Sequence, residues 1–325
     1  MFLGPSADRA ARPGGGLPAS VSRGLLVVAG LLVSLVLLFG VQWAAAGTGE
    51  LRVPGAALTA VLRTVLFAAL AVLAGELMAP RFVASVPGRP GSNVRSWAVV
   101  ASLLGVAAAA GQIFPLAAAH RLGITETCAT REGALLLVVA AALALAAFCA
   151  AGRSSLLALF PLAIGIGAEA LRAHPEPYRP LIGAALTVVH LTAASLWAGS
   201  LLYVLRTMWL WRQTPGAARA LLMRYARVAI WLYAALVATG TVSTLRRLPL
   251  DVVFISAYGR LLLVKLGLMA LVTTLALLAR RQMLRAPDPQ LAHRLARREQ
   301  SVLVLVLAVS ALLTVAPDPH WISTG

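Results

Sequence analysis

A small number of ionisable side chains interrupt the long apolar stretches of this sequence, and they are the residues that could do chemistry. They include His120, Glu169, His174, His190 and Lys265. Ionisable groups are costly inside a membrane, so we treat each as a functional candidate. Neutral imidazole suits copper and zinc, and a carboxylate can complete such a ligand set. The sequence therefore makes His120, Glu169, His174 and His190 candidate metal ligands.

His190 lies within the apolar segment "ALTVVHLTAASLWAGSLL". Small residues on this segment, such as Ala194 and Gly199, allow a second helix to approach closely. Two interpretations stay open. The imidazole is either hydrogen-bonded between two helices or a metal ligand, and a metal site would need His190 together with Glu169, His174 or His120.

Lys265 is the only lysine among the 28 Lys and Arg residues of the chain. It lies in "YGRLLLVKLGLMALVTTLALL", so its ammonium group either reaches back to the lipid headgroups or has a specific role. The specific alternatives are an ion pair with Glu169 and a proton- or metal-linked role beside His190. Lysine shifts its pKa readily when buried and arginine does not, which favours a specific role.

Two further charged residues, Arg63 and Glu76, fall in one apolar segment. Arg63 either extends its guanidinium to the headgroups or pairs with a buried acid such as Glu76. Four aromatic residues further along the chain are typical of an interfacial belt: Trp209, Trp211, Tyr225 and Trp231.

The composition decides the class of protein that must position these side chains. Hydrophobic residues make up 60% of the chain and charged residues 12%, and the mean hydropathy is +0.87. Apolar runs of about 18 residues or more indicate membrane-spanning helices. The net charge of +17 comes from arginines between these runs, so we expect membrane headgroups rather than nucleic acid as their partners. The two cysteines form no zinc or disulfide pattern.

The expected fold is all-α, a polytopic transmembrane helix bundle with about nine spans, or eight if the first is a cleaved signal peptide. The long apolar core of the first segment favours an uncleaved helix. The predicted spans are residues 24–46, 57–78, 97–118, 133–151, 155–171, 181–205, 226–244, 261–278 and 301–316.

The arginines also predict how these spans are oriented and grouped. They are in excess in alternate loops, which favours a cytoplasmic N-terminus and an outer C-terminus. The chain then divides into an N-terminal arm at 1–23, a membrane region of about five spans at 24–180, a second region of four spans at 181–319, and a short outer tail at 320–325.

Four pieces of the second membrane region carry a family resemblance. "VVHLTAASLWAGSLLYVL", "RYARVAIWLYAALVATGTVSTL", "SAYGRLLLVKLGLMALVTTLALLARRQML" and "REQSVLVLVLAVSALLTVAPDP" occur in that order. Together they resemble the four helices of the CopD family of copper-resistance membrane proteins. The resemblance makes 181–319 a CopD-like membrane domain.

The resemblance implies a multi-pass protein of the bacterial plasma (inner) membrane that handles copper, often with a small periplasmic CopC-like copper-binding partner. The outer loops here are too short to contain such a domain. The family signature falls on Trp197, Tyr258, Gly259, Arg260 and Glu299, in addition to His190 and Lys265. Where many members have Gly-His-Ala, this chain has "GIGAEALRAH", which puts Glu169 near that position and His174 just over one turn later.

The expected function is movement or relay of copper ions across the membrane, with copper as cargo more than as a stable cofactor. One alternative is a non-transporting subunit for copper delivery or oxidase assembly. Another is a haem- or quinone-binding electron carrier, although bis-histidine haem ligation needs two facing intramembrane histidines. An enzyme is not expected, because the sequence shows no nucleophile–base pair and no phosphate-binding loop.

Overall fold

Helices account for all of the regular structure in the described part of a computed structural model of the chain. The structure describes residues 19–50, 54–152, 155–173, 180–248, 252–285 and 302–316. Its helices are α1 (Ala19–Ala45), α2 (Ala56–Ala84), α3 (Ala98–Gly111), α4 (Ile113–His120), α5 (Ile124–Ala129), α6 (Arg131–Ala151), α7 (Leu159–Ala173), α8 (Pro180–Leu210), α9 (Pro215–Arg247) and α10 (Ala257–Arg285), followed by α11 (Val302–Leu313).

The predicted all-α fold is confirmed, and each predicted span contains a described helix that covers most of its described residues. Six helical stretches are long and apolar enough to cross a membrane: Ala56–Ala84, Ala98–His120, Arg131–Ala151, Leu181–Leu210, Pro215–Arg246 and Ala257–Leu278. The described apolar part of α1, Gly30–Ala45, and α11 are shorter, as is the 15-residue α7. The structure thus supports six candidate spans, and the count of nine stays a prediction.

The candidate span Ala98–His120 is broken between α3 and α4 at Gln112. Pro115 lies in the first turn of α4 and has no N–H to donate to the carbonyl of Gly111, so the hydrogen-bond ladder is interrupted. The backbone instead closes a tighter turn, in which Gln112 N donates to Ala109 O at 3.2 Å. The break leaves the Gln112 side chain buried inside the bundle, where it meets two arginines described below.

A close approach of two helices joins the two predicted membrane regions. Gly75 of α2 and Gly199 of α8 lie in contact, so that a Cβ atom on Gly199 would overlap the carbonyl oxygen of Ala71. Nearer the end of α2, the Glu76 carboxylate forms an ion pair with Arg206 of α8. The regions 24–180 and 181–319 therefore share one packed interface between α2 and α8.

The two ends of this bundle differ in charge, and we name them for that difference. The basic end contains the C-termini of α2 and α8 and the N-terminus of α9. At the mixed-charge end α2 and α8 begin and α9 ends. A contact between Glu50 and the first turn of α10, where Glu50 Oε2 accepts from Ala257 N at 3.0 Å, puts the start of α10 at the mixed-charge end.

Gly199→Ala is predicted to destabilise the protein, because the added methyl group has no space between α8 and the α2 backbone. Overpacking of this kind costs about 1–3 kcal/mol of unfolding free energy. The measurement is the thermal midpoint of purified protein in detergent. Gly167→Ala on α7 is the matched control, since nothing lies within 4 Å of its Cβ position. Equal midpoints for the two variants would contradict the close contact.

Candidate functional site

His190 lies on the stripe of α8 that packs against α9. Ala193, Trp197, Leu201 and Val204 continue this stripe at helical spacing, and all four are buried. The His190 ring faces α9 at two points. Its Nδ1 is 2.9 Å from Thr239 Oγ1, and its Cε1 would be 3.6 Å from a Cβ atom at Gly240. The histidine is therefore held between α8 and α9, as the first interpretation of the sequence expects.

The Thr239 hydroxyl determines which tautomer of His190 is present. Its oxygen is 2.6 Å from Ala235 O, so its single hydrogen is donated to that carbonyl. The hydroxyl then accepts from His190, which puts a hydrogen on Nδ1. In the neutral imidazole this arrangement leaves the lone pair on Nε2. A histidine fixed in this way by a second group is the usual arrangement of a metal-ligating imidazole.

A chain of contacts continues from this histidine towards the basic end. The Trp197 ring packs edge-on against Tyr233 of α9, with ring centroids 5.8 Å apart. Thr273 of α10 lies 2.8 Å from the Tyr233 hydroxyl. Tyr225 donates its hydroxyl hydrogen to Trp197 O at 3.3 Å. These contacts fix the register among α8, α9 and α10.

That register brings Lys265 level with His190. Lys265 precedes Thr273 by eight residues on α10, which is about 12 Å of helix towards the mixed-charge end. Thr239 follows Tyr233 by six residues on the antiparallel α9, about 9 Å in the same direction. Lys265, Met269 and Thr273 share one helical face, and the Thr273 hydroxyl bonds to α9. Lys265 is thus on the α9-facing side of α10 at the depth of His190.

The ion pair between Lys265 and Glu169 does not form. Both Glu169 oxygens accept from Arg172 instead, from Nη2 at 2.7 Å and from Nε at 2.9 Å. The carboxylate is only 1% exposed. Within the described residues, no hydrogen bond or ion pair involves the Lys265 ammonium group.

Arg172 and Glu169 belong to a larger polar cluster, which also contains Arg63, Gln112 and the carbonyl of Thr314. Gln112 Oε1 accepts from Arg172 Nη2 at 3.1 Å and from Arg63 Nε at 3.4 Å. Arg63 Nη1 donates to Thr314 O at 2.8 Å. Neither predicted role of Arg63 holds, because its guanidinium turns inwards and Glu76 pairs with Arg206.

The remaining candidate ligands form no described site with His190. His120 ends α4 and is exposed, while His174 lies outside the described residues, as does the signature residue Glu299. In the described part of the chain, no three His, Cys, Asp or Glu side chains are grouped so that they could hold a metal ion.

The other signature residues shape the start of α10. Arg260 Nη1 donates to Ala44 O at 3.1 Å and to Ala46 O at 2.7 Å, which ties α10 to the end of α1. Gly259 lies against the carbonyl of Val253, where a Cβ atom would overlap it. Tyr258 packs beside the buried residues that α1, α10 and α11 share. Their positions give the "YGR" motif a structural role.

The sequence did not indicate Thr239 or Gln112. A threonine in "VATGTVST" resembles the many helical threonines that bond to their own backbone, and Thr239 makes such a bond as well. Gln112 could have been recognised from the sequence, because it is a polar amide three residues before a proline, where a helix break is expected.

Comparison with known families agrees with the motifs. Residues 219–316 match the family model described as "Copper resistance protein D", or CopD. Over these residues the chain is similar to the CopD family. The match contains Thr239, Tyr258, Arg260 and Lys265, whereas His190 and Trp197 precede it. No curated protein and no solved structure matches the chain.

The CopD match confirms the predicted resemblance and, with the six apolar helices, indicates a multi-pass membrane protein connected with copper resistance. The match covers less than half of the chain. The residues assigned to the family signature before position 219 therefore stay predictions.

Arg172→Met is predicted to lower the unfolding free energy by about 3–5 kcal/mol, because it leaves the Glu169 carboxylate buried without its partner. Glu169→Leu combined with Arg172→Met is the matched control, and it should recover most of the loss. Thermal or denaturant unfolding in detergent measures both variants. A double variant as unstable as the single one would mean that the ion pair is not what the single substitution disrupts.

Proposed function

We propose that this protein moves or relays copper ions across the bacterial plasma membrane, with His190 as a copper-contacting residue on the route. The family match at 219–316 supports the copper connection. The tautomer of His190 supports its role, since the hydrogen bond to Thr239 leaves the lone pair on Nε2. The proposal includes no catalysed reaction.

The proposed route runs between α8, α9 and α10 rather than past Glu169. Glu169 has the carboxylate chemistry of a ligand, but both of its oxygens are engaged by Arg172. Arg63 and Arg172 also put two guanidinium groups around one carboxylate, and their excess positive charge would repel a copper cation. At His190, by contrast, Thr239 and Gly240 contribute no charge, and Lys265 is the single cation that we place at the same depth.

Binding by a single imidazole is compatible with transport of the copper ion, because the ion is not held permanently. An ion that must pass needs sites that bind it well enough to admit it and weakly enough to release it. A stable copper centre would instead call for three or four ligands in a fixed geometry. We therefore treat copper as the transported ion, with His120 and His174 as further candidate contacts towards the mixed-charge end.

The proposed orientation has a cytoplasmic N-terminus, so the mixed-charge end with the His190 half of α8 faces outwards. A periplasmic CopC-like protein would deliver copper to this end or receive it there. The arginine excess at the opposite end supports this orientation through the positive-inside rule.

Copper flux is predicted to depend on His190. In vesicles containing the purified protein and a copper-sensitive dye, wild type should equilibrate copper, and His190→Ala should fall to the rate of protein-free vesicles. Thr274→Ala is the control, because Thr274 is exposed on α10 and its hydroxyl bonds to Ala270 O of the same helix. Cells with and without the gene, grown across a range of copper, provide the matching measurement of copper content. Identical content and tolerance in both would refute the copper function.

The hydroxyl of Thr239 is predicted to tune this step. Thr239→Val removes the acceptor for His190 Nδ1 at nearly constant volume, and loss of such a supporting group costs about 10–100-fold in metal affinity or activity. Thr239→Ser keeps the hydroxyl and should keep most of the flux. Equal flux in the two variants would show that the tautomer of His190 does not matter.

A further inference from the structure

Among the residues that the structure describes, six arginines with no exposed acidic residue among them lie at the basic end. Arg81, Arg89, Arg95, Arg212 and Arg219 are exposed and Arg224 is partly exposed. The acidic residue nearest to them in the described chain is Glu76, which is buried and paired with Arg206. At the mixed-charge end, in contrast, Glu126 and Glu132 are exposed beside the local arginines.

The fold assembles these arginines on a single surface from two separate parts of the chain. The segment at 81–95 follows α2, and the segment at 206–224 joins α8 to α9. Trp211 Nε1 donates to Ser92 O at 3.4 Å, and Arg224 Nη1 donates to Ser85 Oγ at 2.8 Å. Arg206 also donates to Arg95 O. We call the six arginines at 81, 89, 95, 212, 219 and 224 the basic surface.

Two exposed tryptophans give the depth of the basic surface in the membrane. Trp97 is 44% exposed and Trp209 is 60% exposed. Each has a guanidinium over its ring, with Arg206 Cζ 3.6 Å and Arg212 Cζ 5.0 Å from the respective ring centroids. Exposed tryptophans of membrane proteins lie at the level of the headgroups. The guanidinium groups beside them are therefore at the depth of lipid phosphates.

We propose that the basic surface binds the phosphate headgroups of anionic phospholipids. The planar guanidinium fork matches phosphate oxygens with two hydrogen bonds, which a neutral surface cannot offer. Arg212 and Arg224 contact uncharged acceptors, the Trp209 carbonyl and Ser85, so their positive charges are not neutralised by these contacts. This inference is independent of copper, because the basic surface and His190 are near opposite ends of α8.

The experiment compares lipid binding by wild type with that of two double variants. Native mass spectrometry of the purified full-length protein, in detergent with mixed phosphatidylglycerol and phosphatidylcholine, counts the lipids retained. Arg89→Gln with Arg212→Gln should weaken phosphatidylglycerol binding on the order of fivefold per arginine. Arg121→Gln with Arg246→Gln removes the same charge at the mixed-charge end and should change it less than about twofold.

Three results would overturn the proposal. The first is equal retention of both lipids by wild type, and the second is an equal loss in the two double variants. The third is displacement of phosphatidylglycerol by a polyglutamate peptide or by inorganic phosphate when the competitor is present at no higher concentration than the lipid. Polyglutamate would indicate an acidic protein partner, and phosphate would indicate a site for any phosphate. Unchanged thermal midpoints of both variants would show that the fold is intact.

Discussion

The contact between Gly75 and Gly199 is the constraint on which the rest of the bundle depends. Apolar side chains gain little by leaving lipid for another apolar surface, so membrane helices associate through close packing and buried polar contacts. The two glycines let the backbones of α2 and α8 touch. The Glu76–Arg206 ion pair then forms beside the contact. Because α8 is held against α2 on one side, its opposite stripe with His190 and Trp197 is presented to α9.

Two charged residues of α2, Arg63 and Glu76, bind different parts of the chain, and they help to separate two kinds of polar site. Arg63 belongs to the hydrogen-bonded cluster with Gln112 and Arg172, and Glu76 forms an ion pair with Arg206. These groups have partners that fix helices together. The polar residues that we place between α8, α9 and α10 are His190 and Thr239, which are hydrogen-bonded to each other, and Lys265. Structural charges and candidate transport residues thus occupy opposite sides of α8.

The sequence was sufficient for features that depend on composition and local pattern, and insufficient for those that depend on which helices meet. Hydropathy predicted the all-α membrane fold, and the motifs from α9 onwards predicted the CopD resemblance that the family model matches at 219–316. Lys265 is one partner that the sequence predicts for Glu169, whereas Arg172, one turn away on the same helix, binds both oxygens. The aromatic belt was only partly right. Trp209 is exposed, but Trp211 and Tyr225 are buried and bond to backbone carbonyls of Ser92 and Trp197, contacts that no local pattern reveals.

The hydrogen bond from Arg63 to the Thr314 carbonyl spans 251 residues of sequence. During synthesis at about 5–20 residues per second, the donor enters the membrane about 13–50 s before its acceptor exists. Gln112 becomes available much earlier, 49 residues after Arg63. The arginine on α2 therefore has a provisional partner for most of the biosynthesis of the chain. Thr314, which directly follows α11, supplies the last hydrogen-bond acceptor of Arg63. The N-terminal half of the bundle therefore reaches its final state only when the C-terminal half has been made.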